Sequence, residues 1–223
     1  MSDKNTKLVF VILIGGGSTR FGSDKGIFEF KGKPLILYQL ETLRQFKRPI
    51  YISTKSSKQL QKYTDIIQDT EDLTFVLDKK EILKDSSVKT PMLGIYSTYR
   101  ELCKLNIEKA FTFSCDTPLI NPDVISLMID FTKNNDYDFI IPRWENGFLE
   151  PLYAIYPVEA TYHNAKKNLK KQYLKLLNLI DPTWTIKYIS IEKTIKKYDE
   201  NLRTFLNVNR KSDIKKLALY LEN

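Results

Sequence analysis

The chain has 223 residues, 42% of them hydrophobic and 28% charged, with a formal net charge of +8 at pH 7. This is a globular composition, and no apolar run approaches the roughly 20 residues that a membrane-spanning helix needs. Two cysteines (Cys103 and Cys115) and a single histidine (His163) exclude a disulfide scaffold, a cysteine zinc site and a multi-histidine metal site, and point to a reduced, cytoplasmic protein.

In chain order, Leu8–Ile14 is a solid apolar run of strand length. No small-residue cleavage site follows it, so it reads as a buried strand rather than a signal-peptide core. Residues 34–46 carry apolar side chains at helical spacing. Short strands are expected at 50–53 and 75–77, a helix at 92–105 and a strand at 110–114. Asn121 and Pro122 look like the cap and first-turn proline of a helix running to about Phe131. Strands follow at 139–141 and 152–156, a mostly helical stretch at 158–180, a strand at 185–189 and a last helix at 213–221. The alternation predicts an α/β fold with a mostly parallel sheet, in one domain over 1–223. In such sheets ligands bind beyond the carboxyl ends of the strands.

After the first strand, whose end is Leu13 and Ile14, comes Gly15-Gly16-Gly17-Ser18-Thr19-Arg20-Phe21-Gly22-Ser23-Asp24-Lys25-Gly26. Six of the eight glycines lie between Gly15 and Gly32. Glycines let backbone N–H groups approach an anion together, and Arg20 and Lys25 add the charge that a polyphosphate requires. Two familiar phosphate loops fail on specific residues. The Walker pattern needs Lys-Ser/Thr after its last glycine, and here Ser23-Asp24 follows Gly22. The dinucleotide fingerprint needs a third glycine where Arg20 stands. Further on, Asp116 lies just past an apolar strand, a position from which a carboxylate can hold Mg²⁺.

The string from Gly15 to Lys25, with Phe30-Lys31-Gly32-Lys33-Pro34-Leu35 behind it, resembles the opening of the molybdenum cofactor guanylyltransferases, a MobA-like nucleotidyltransferase family. Cys115-Asp116-Thr117-Pro118 extends the likeness. The resemblance implies a three-layer Rossmann-like nucleotidyltransferase fold, with a nucleotide-binding half at about 8–120 and an acceptor-binding half at about 121–223. It implies that Leu13, Ile14, Gly15, Gly16, Gly17, Ser18, Thr19, Arg20 and Lys25 surround a nucleoside triphosphate, with Lys25 on its phosphates and Asp116 on the magnesium. It also places Asp78 and Gly94 by the nucleotide and Glu150, Asn207 and Asn209 by the acceptor. The sequence departs from the family at Ser53-Thr54, at Arg210 and in the long charged loop between Asp78 and Pro91.

The implied reaction is Mg²⁺-dependent transfer of GMP from GTP to the phosphate of a molybdopterin-type acceptor, with Arg20, Lys25 and Asp116 as the catalytic set. Carrier or insertion proteins of the molybdenum cofactor are the implied partners. A cytidylyltransferase or a sugar-phosphate nucleotidyltransferase is the alternative within the superfamily. Outside it stand a basic nucleic-acid binder and an inactive GTP-binding regulator. Residues 1–158 hold 21 basic and 20 acidic side chains, whereas residues 159–223 hold 14 and 7. Lys166, Lys167, Lys170, Lys171 and Lys175 form one face of an expected helix whose other face carries Ala165, Leu169, Tyr173, Leu176, Leu177 and Ile180. That is the pattern of a solvated face, and base reading favours arginine, so neither nucleic acid nor a membrane is an expected partner.

Overall fold

The structure is a computed structural model and describes residues 8–14, 24–133, 136–210 and 212–221. The chain opens with β1 (Leu8–Leu13), then a small hairpin of β2 (Glu29–Phe30) and β3 (Lys33–Pro34) leads into α1 (Leu35–Arg44). Next come β4 (Ile50–Thr54), α2 (Ser57–Ile66), β5 (Leu73–Leu77), α3 (Pro91–Lys104) and β6 (Lys109–Ser114). The remainder is α4 (Pro122–Asp130), β7 (Phe139–Arg143), β8 (Tyr153–Pro157), α5 (Val158–Lys170), β9 (Ile186–Ser190) and α6 (Asp213–Leu221).

Seven strands form one sheet in the order β5-β4-β1-β6-β8-β7-β9. Only β8 runs against its neighbours β6 and β7. Every residue of β1 is buried. Its continuous apolar run therefore reflects helices on both faces, not alternation between core and water. On one face α1, α2 and α4 contribute Ile36, Leu40, Tyr63, Val124 and Met128. On the other, α3 and α5 contribute Met92, Leu93, Tyr99, Ala165 and Leu169. The fold is thus the three-layer α/β arrangement expected.

Local chemistry starts and stops the helices. Ser56, Thr90 and Asn121 each accept backbone N–H bonds as N-caps, and Pro91 and Pro122 sit in first turns where a missing N–H costs nothing. The expected helix over 158–180 is shorter. Gln172 adopts a left-handed φ of 59°, Tyr173 N–H bonds Asn168 C=O at 2.9 Å and Gln172 N–H bonds Leu169 C=O at 3.1 Å. This Schellman-type cap ends α5 at Lys170. Tyr173 and Leu177 consequently stand exposed rather than on an apolar helix face, and Lys171 and Lys175 lie beyond the helix.

The register aligns the carboxyl ends of the central strands. Leu13 pairs with both Ser53 and Ser114, Thr54 with Leu77, and Phe113 with Tyr153. The residues that follow these strands share one edge of the molecule. A third apolar cluster of Phe30, Leu35, Val208 and Leu217 ties the β2–β3 hairpin to the end of the chain. Burying each such side chain contributes about 1.5–3 kcal/mol. Among the described residues, no helix is long and apolar enough to cross a membrane.

Candidate active site at the carboxyl edge of the sheet

One strand end and one C-terminal segment meet on Lys25. Its Nζ lies 3.3 Å from Asp116 Oδ2 and 2.5 Å from Asn209 Oδ1. Asp116 follows β6, and its carbonyl accepts the Val208 N–H at 2.8 Å. That bond fixes the segment in which Asn207 and Asn209 flank the buried Val208. Asp213 accepts the N–H groups of Asn209 and Arg210 at 2.9 and 2.8 Å, which holds its carboxyl below the ordinary range. Asn207 stays exposed and donates to the Phe205 carbonyl at 3.4 Å, so of the two asparagines it is Asn209 that bonds Lys25.

Glu150 sits in the connection between β7 and β8, on the same edge. Trp144 Nε1 donates to its Oε1 at 2.7 Å. Burial raises the Glu150 carboxyl, the Trp144 bond opposes that, and the nearby negative charge of Asp116 adds to it. The Asp116 carboxylate therefore lies close enough for Glu150 to feel its charge.

Asp78 follows β5. Ser53 Oγ donates to its Oδ1 at 3.0 Å, and burial pushes the carboxyl up to about 6. Gly94 packs directly beneath this pair, since a Cβ there would stand 2.7 Å from Ser53 Oγ and 3.3 Å from Leu13 Cδ2. Only a glycine lets the first turn of α3 lie so close to the ends of β1 and β4. Beside Asp78 opens a cavity of about 280 Å³, walled by Lys55, Lys80, Val88, Lys89 and Leu93. Part of the long charged loop between Asp78 and Pro91 thus builds one wall of this cavity.

The structure brings Lys25, Asp116 and Asn209 together, sets Glu150 near them, and groups Leu13, Asp78 and Gly94 farther along the edge. Ile14 continues β1 beside Ser53, whose carbonyl accepts its N–H at 3.3 Å. Gly15, Gly16, Gly17, Ser18, Thr19 and Arg20 lie outside the described residues. Among the described residues there is no cluster of three or more His, Cys, Asp or Glu side chains able to hold a metal by themselves. A cavity of about 850 Å³ between the end of α3 and the start of α5 includes Cys103 and His163 and lies at the opposite edge of the sheet.

Sequence reasoning passed over three buried polar residues that shape the site. Gln39 Nε2 donates to the carbonyls of Ser114 and Thr117 at 3.0 and 3.2 Å, which cradles the turn carrying Asp116. Gln59 and Tyr63 both donate to Asp24, the neighbour of Lys25. A polar residue in a helix carries no mark of facing inward. The one available signal was Asp24 itself, inside the motif.

The model of the MobA-like NTP transferase domain matches residues 10–178. A probable molybdenum cofactor guanylyltransferase of Pyrococcus horikoshii is 31% identical over 93% of this chain and 97% of that protein. One of Thermococcus gammatolerans is 30% identical over 94% and 98%. Among solved structures, molybdopterin-guanine dinucleotide biosynthesis protein A of Archaeoglobus fulgidus superposes with a TM-score of 0.75 at 22% identity, covering 96% and 98% of the two chains. A cytidylyltransferase of Leptospira borgpetersenii shares the fold with a TM-score of 0.69 at 16% identity, over 96% and 85%. With the matched span running from β1 into the segment after α5, and with Lys25 and Asp116 meeting within it, the chain belongs to the MobA-like NTP transferase family and is a nucleotidyltransferase of molybdenum cofactor biosynthesis.

Proposed function

We propose that the protein transfers GMP from GTP to the terminal phosphate of a molybdopterin-type acceptor, with pyrophosphate as the second product. The convergence of Lys25, Asp116 and Asn209, from sequence positions far apart, carries this reading. An acceptor phosphate oxygen forms a bond to the α-phosphorus as the bond from that phosphorus to the pyrophosphate oxygen breaks, and pyrophosphate leaves with the electron pair. The acceptor phosphate is already anionic, so no strong general base is required. Catalysis then rests on positioning and on neutralising charge.

The Lys25 ammonium, with Arg20 and the backbone of Gly15, Gly16 and Gly17 and the hydroxyls of Ser18 and Thr19, would meet the triphosphate. Asp78 offers a carboxylate acceptor to the N–H groups of the guanine edge, and Gly94 lets that edge of the site form. Glu150 would accept from amine groups of the acceptor, with Asn207 and Asn209 on its phosphate side.

The donor set fits Mg²⁺. Asp116 supplies a carboxylate and Asn209 an amide oxygen, both already oriented toward a cation, which leaves the remaining positions to phosphate oxygens and water. When bound there, the metal would supply charge neutralisation on the phosphates. Both cysteines are free, in keeping with a cytoplasmic protein. The basic excess after residue 158 would draw in an anionic acceptor or the protein that carries it.

The test is incubation with Mg²⁺, molybdopterin acceptor and each of the four NTPs, with pyrophosphate as the readout. Turnover with GTP is expected. Turnover only with CTP would move the protein to cytidylyl transfer, and no turnover with any NTP would overturn the reading.

A further inference from the structure

Lys25 can serve a phosphate only if the backbone that bears it is fixed. Its neighbour Asp24 is held at both carboxylate oxygens: Tyr63 OH donates to Oδ1 at 2.6 Å and Gln59 Nε2 to Oδ2 at 2.5 Å. The same Nε2 donates to the Ile14 carbonyl at 3.1 Å, and Gln59 Oε1 accepts the Lys55 N–H at 2.8 Å. One side chain thus ties together the end of β1, the end of β4 and the residue beside Lys25. In sequence, Ile14 and Asp24 stand on either side of the glycine-rich stretch.

We propose that Gln59, backed by Tyr63, is a positioning residue that sets Lys25 against Asp116 and Asn209 through Asp24. Four features support a specific clamp over generic packing. Gln59 is only 3% exposed and uses both ends of its amide, so no apolar residue of its size replaces it. Burial, with Asp24 adding to it, holds the Tyr63 phenol far above its ordinary range, so it remains a donor at any working pH. A Cβ on Gly26 would stand 2.2 Å from Tyr63 OH, so the residue after Lys25 is a glycine that lets the chain cross the tyrosine. Ser56 Oγ accepts the Gln59 N–H at 3.2 Å, so the clamp is built into the first turn of α2.

The inference rests on Lys25 acting on the nucleotide phosphates, and its test separates the two. Gln59→Glu keeps the acceptor for Lys55 but turns a carboxylate toward Asp24. Adding Asp24→Asn restores a donor–acceptor pair with reversed polarity while still accepting from Tyr63. Pyrophosphate release should fall at least tenfold in kcat for Gln59→Glu, since a displacement of about 1 Å costs on the order of 10²-fold. KM for the acceptor should stay unchanged, and the double variant should regain part of the loss, since the pair with residue 24 is restored while the bond to the Ile14 carbonyl is not. Tyr63→Phe, a mild change to the fold, should lose several-fold. Amide hydrogen exchange over residues 24–28 should quicken in Gln59→Glu and slow again in the double variant. Activity within twofold of wild type in both single variants, or no recovery in the pair, overturns the clamp. A wild-type protein that releases no pyrophosphate with any NTP refutes the transfer reading instead. The exchange data then judge the clamp alone, and unaltered exchange at 24–28 rejects it.

Discussion

Asp78 is costly to the fold, and Asp78→Asn should expose that cost. Its carboxyl is raised from the ordinary 3.8 to about 6, chiefly by burial, with the Ser53 bond and the Lys80 charge opposing. Between those values the folded chain keeps a proton that the unfolded chain has released. Stability therefore falls as pH rises through that window, and the full cost is present above about pH 6. A displacement of this size corresponds to at most about 3 kcal/mol. Asparagine preserves the shape and can still accept from Ser53, but it never ionises. Urea unfolding at pH 4, 5, 6 and 7.5 should show Asp78→Asn gaining on the wild type as pH rises, by up to about 3 kcal/mol at pH 7.5. The same variant should bind GTP more weakly at neutral pH, since an amide presents one acceptor where the carboxylate presents two. A stability difference that does not change with pH would refute the reasoning.

The other expectations are narrower. Lys25→Ala should lower the rate of pyrophosphate release on the order of 10²-fold, as loss of one preorganised charge-stabilising group does, and an unchanged rate would remove Lys25 from the site. Gly94→Ala should destabilise by about 1–3 kcal/mol in thermal unfolding, because its Cβ collides with Ser53 Oγ, and a wild-type Tm would show that α3 can shift at no cost.

The meeting of Lys25 and Asp116 in the candidate site was legible because the residues around them in sequence are chemically conspicuous. A glycine cluster in a glycine-poor chain, two cations inside it and an aspartate after a solid apolar strand stand out without a structure. What pattern could not reveal falls into two kinds. Apolar spacing continues from Ala165 through Ile180, so the segment reads as one helix. The stop comes from the left-handed backbone at Gln172, and glutamine gives no hint of it. Likewise α2 has few apolar residues, and what it buries most usefully is Gln59, a residue type usually exposed. The direction of β8 was equally hidden, since a strand covered on both faces looks alike from either end.

The bond from Val208 to Asp116 has a consequence for synthesis. By the time residue 190 has been made, all seven strands of the sheet and both flanking helix layers exist, along with Lys25 and Asp116. Asn209 is 184 positions beyond Lys25 and arrives only with the final stretch of chain. A chain stopped before Val208 would hold all seven strands, Lys25 and Asp116, but neither the Asn209 oxygen on Lys25 nor the Val208 and Leu217 side chains that pack on the β2–β3 hairpin.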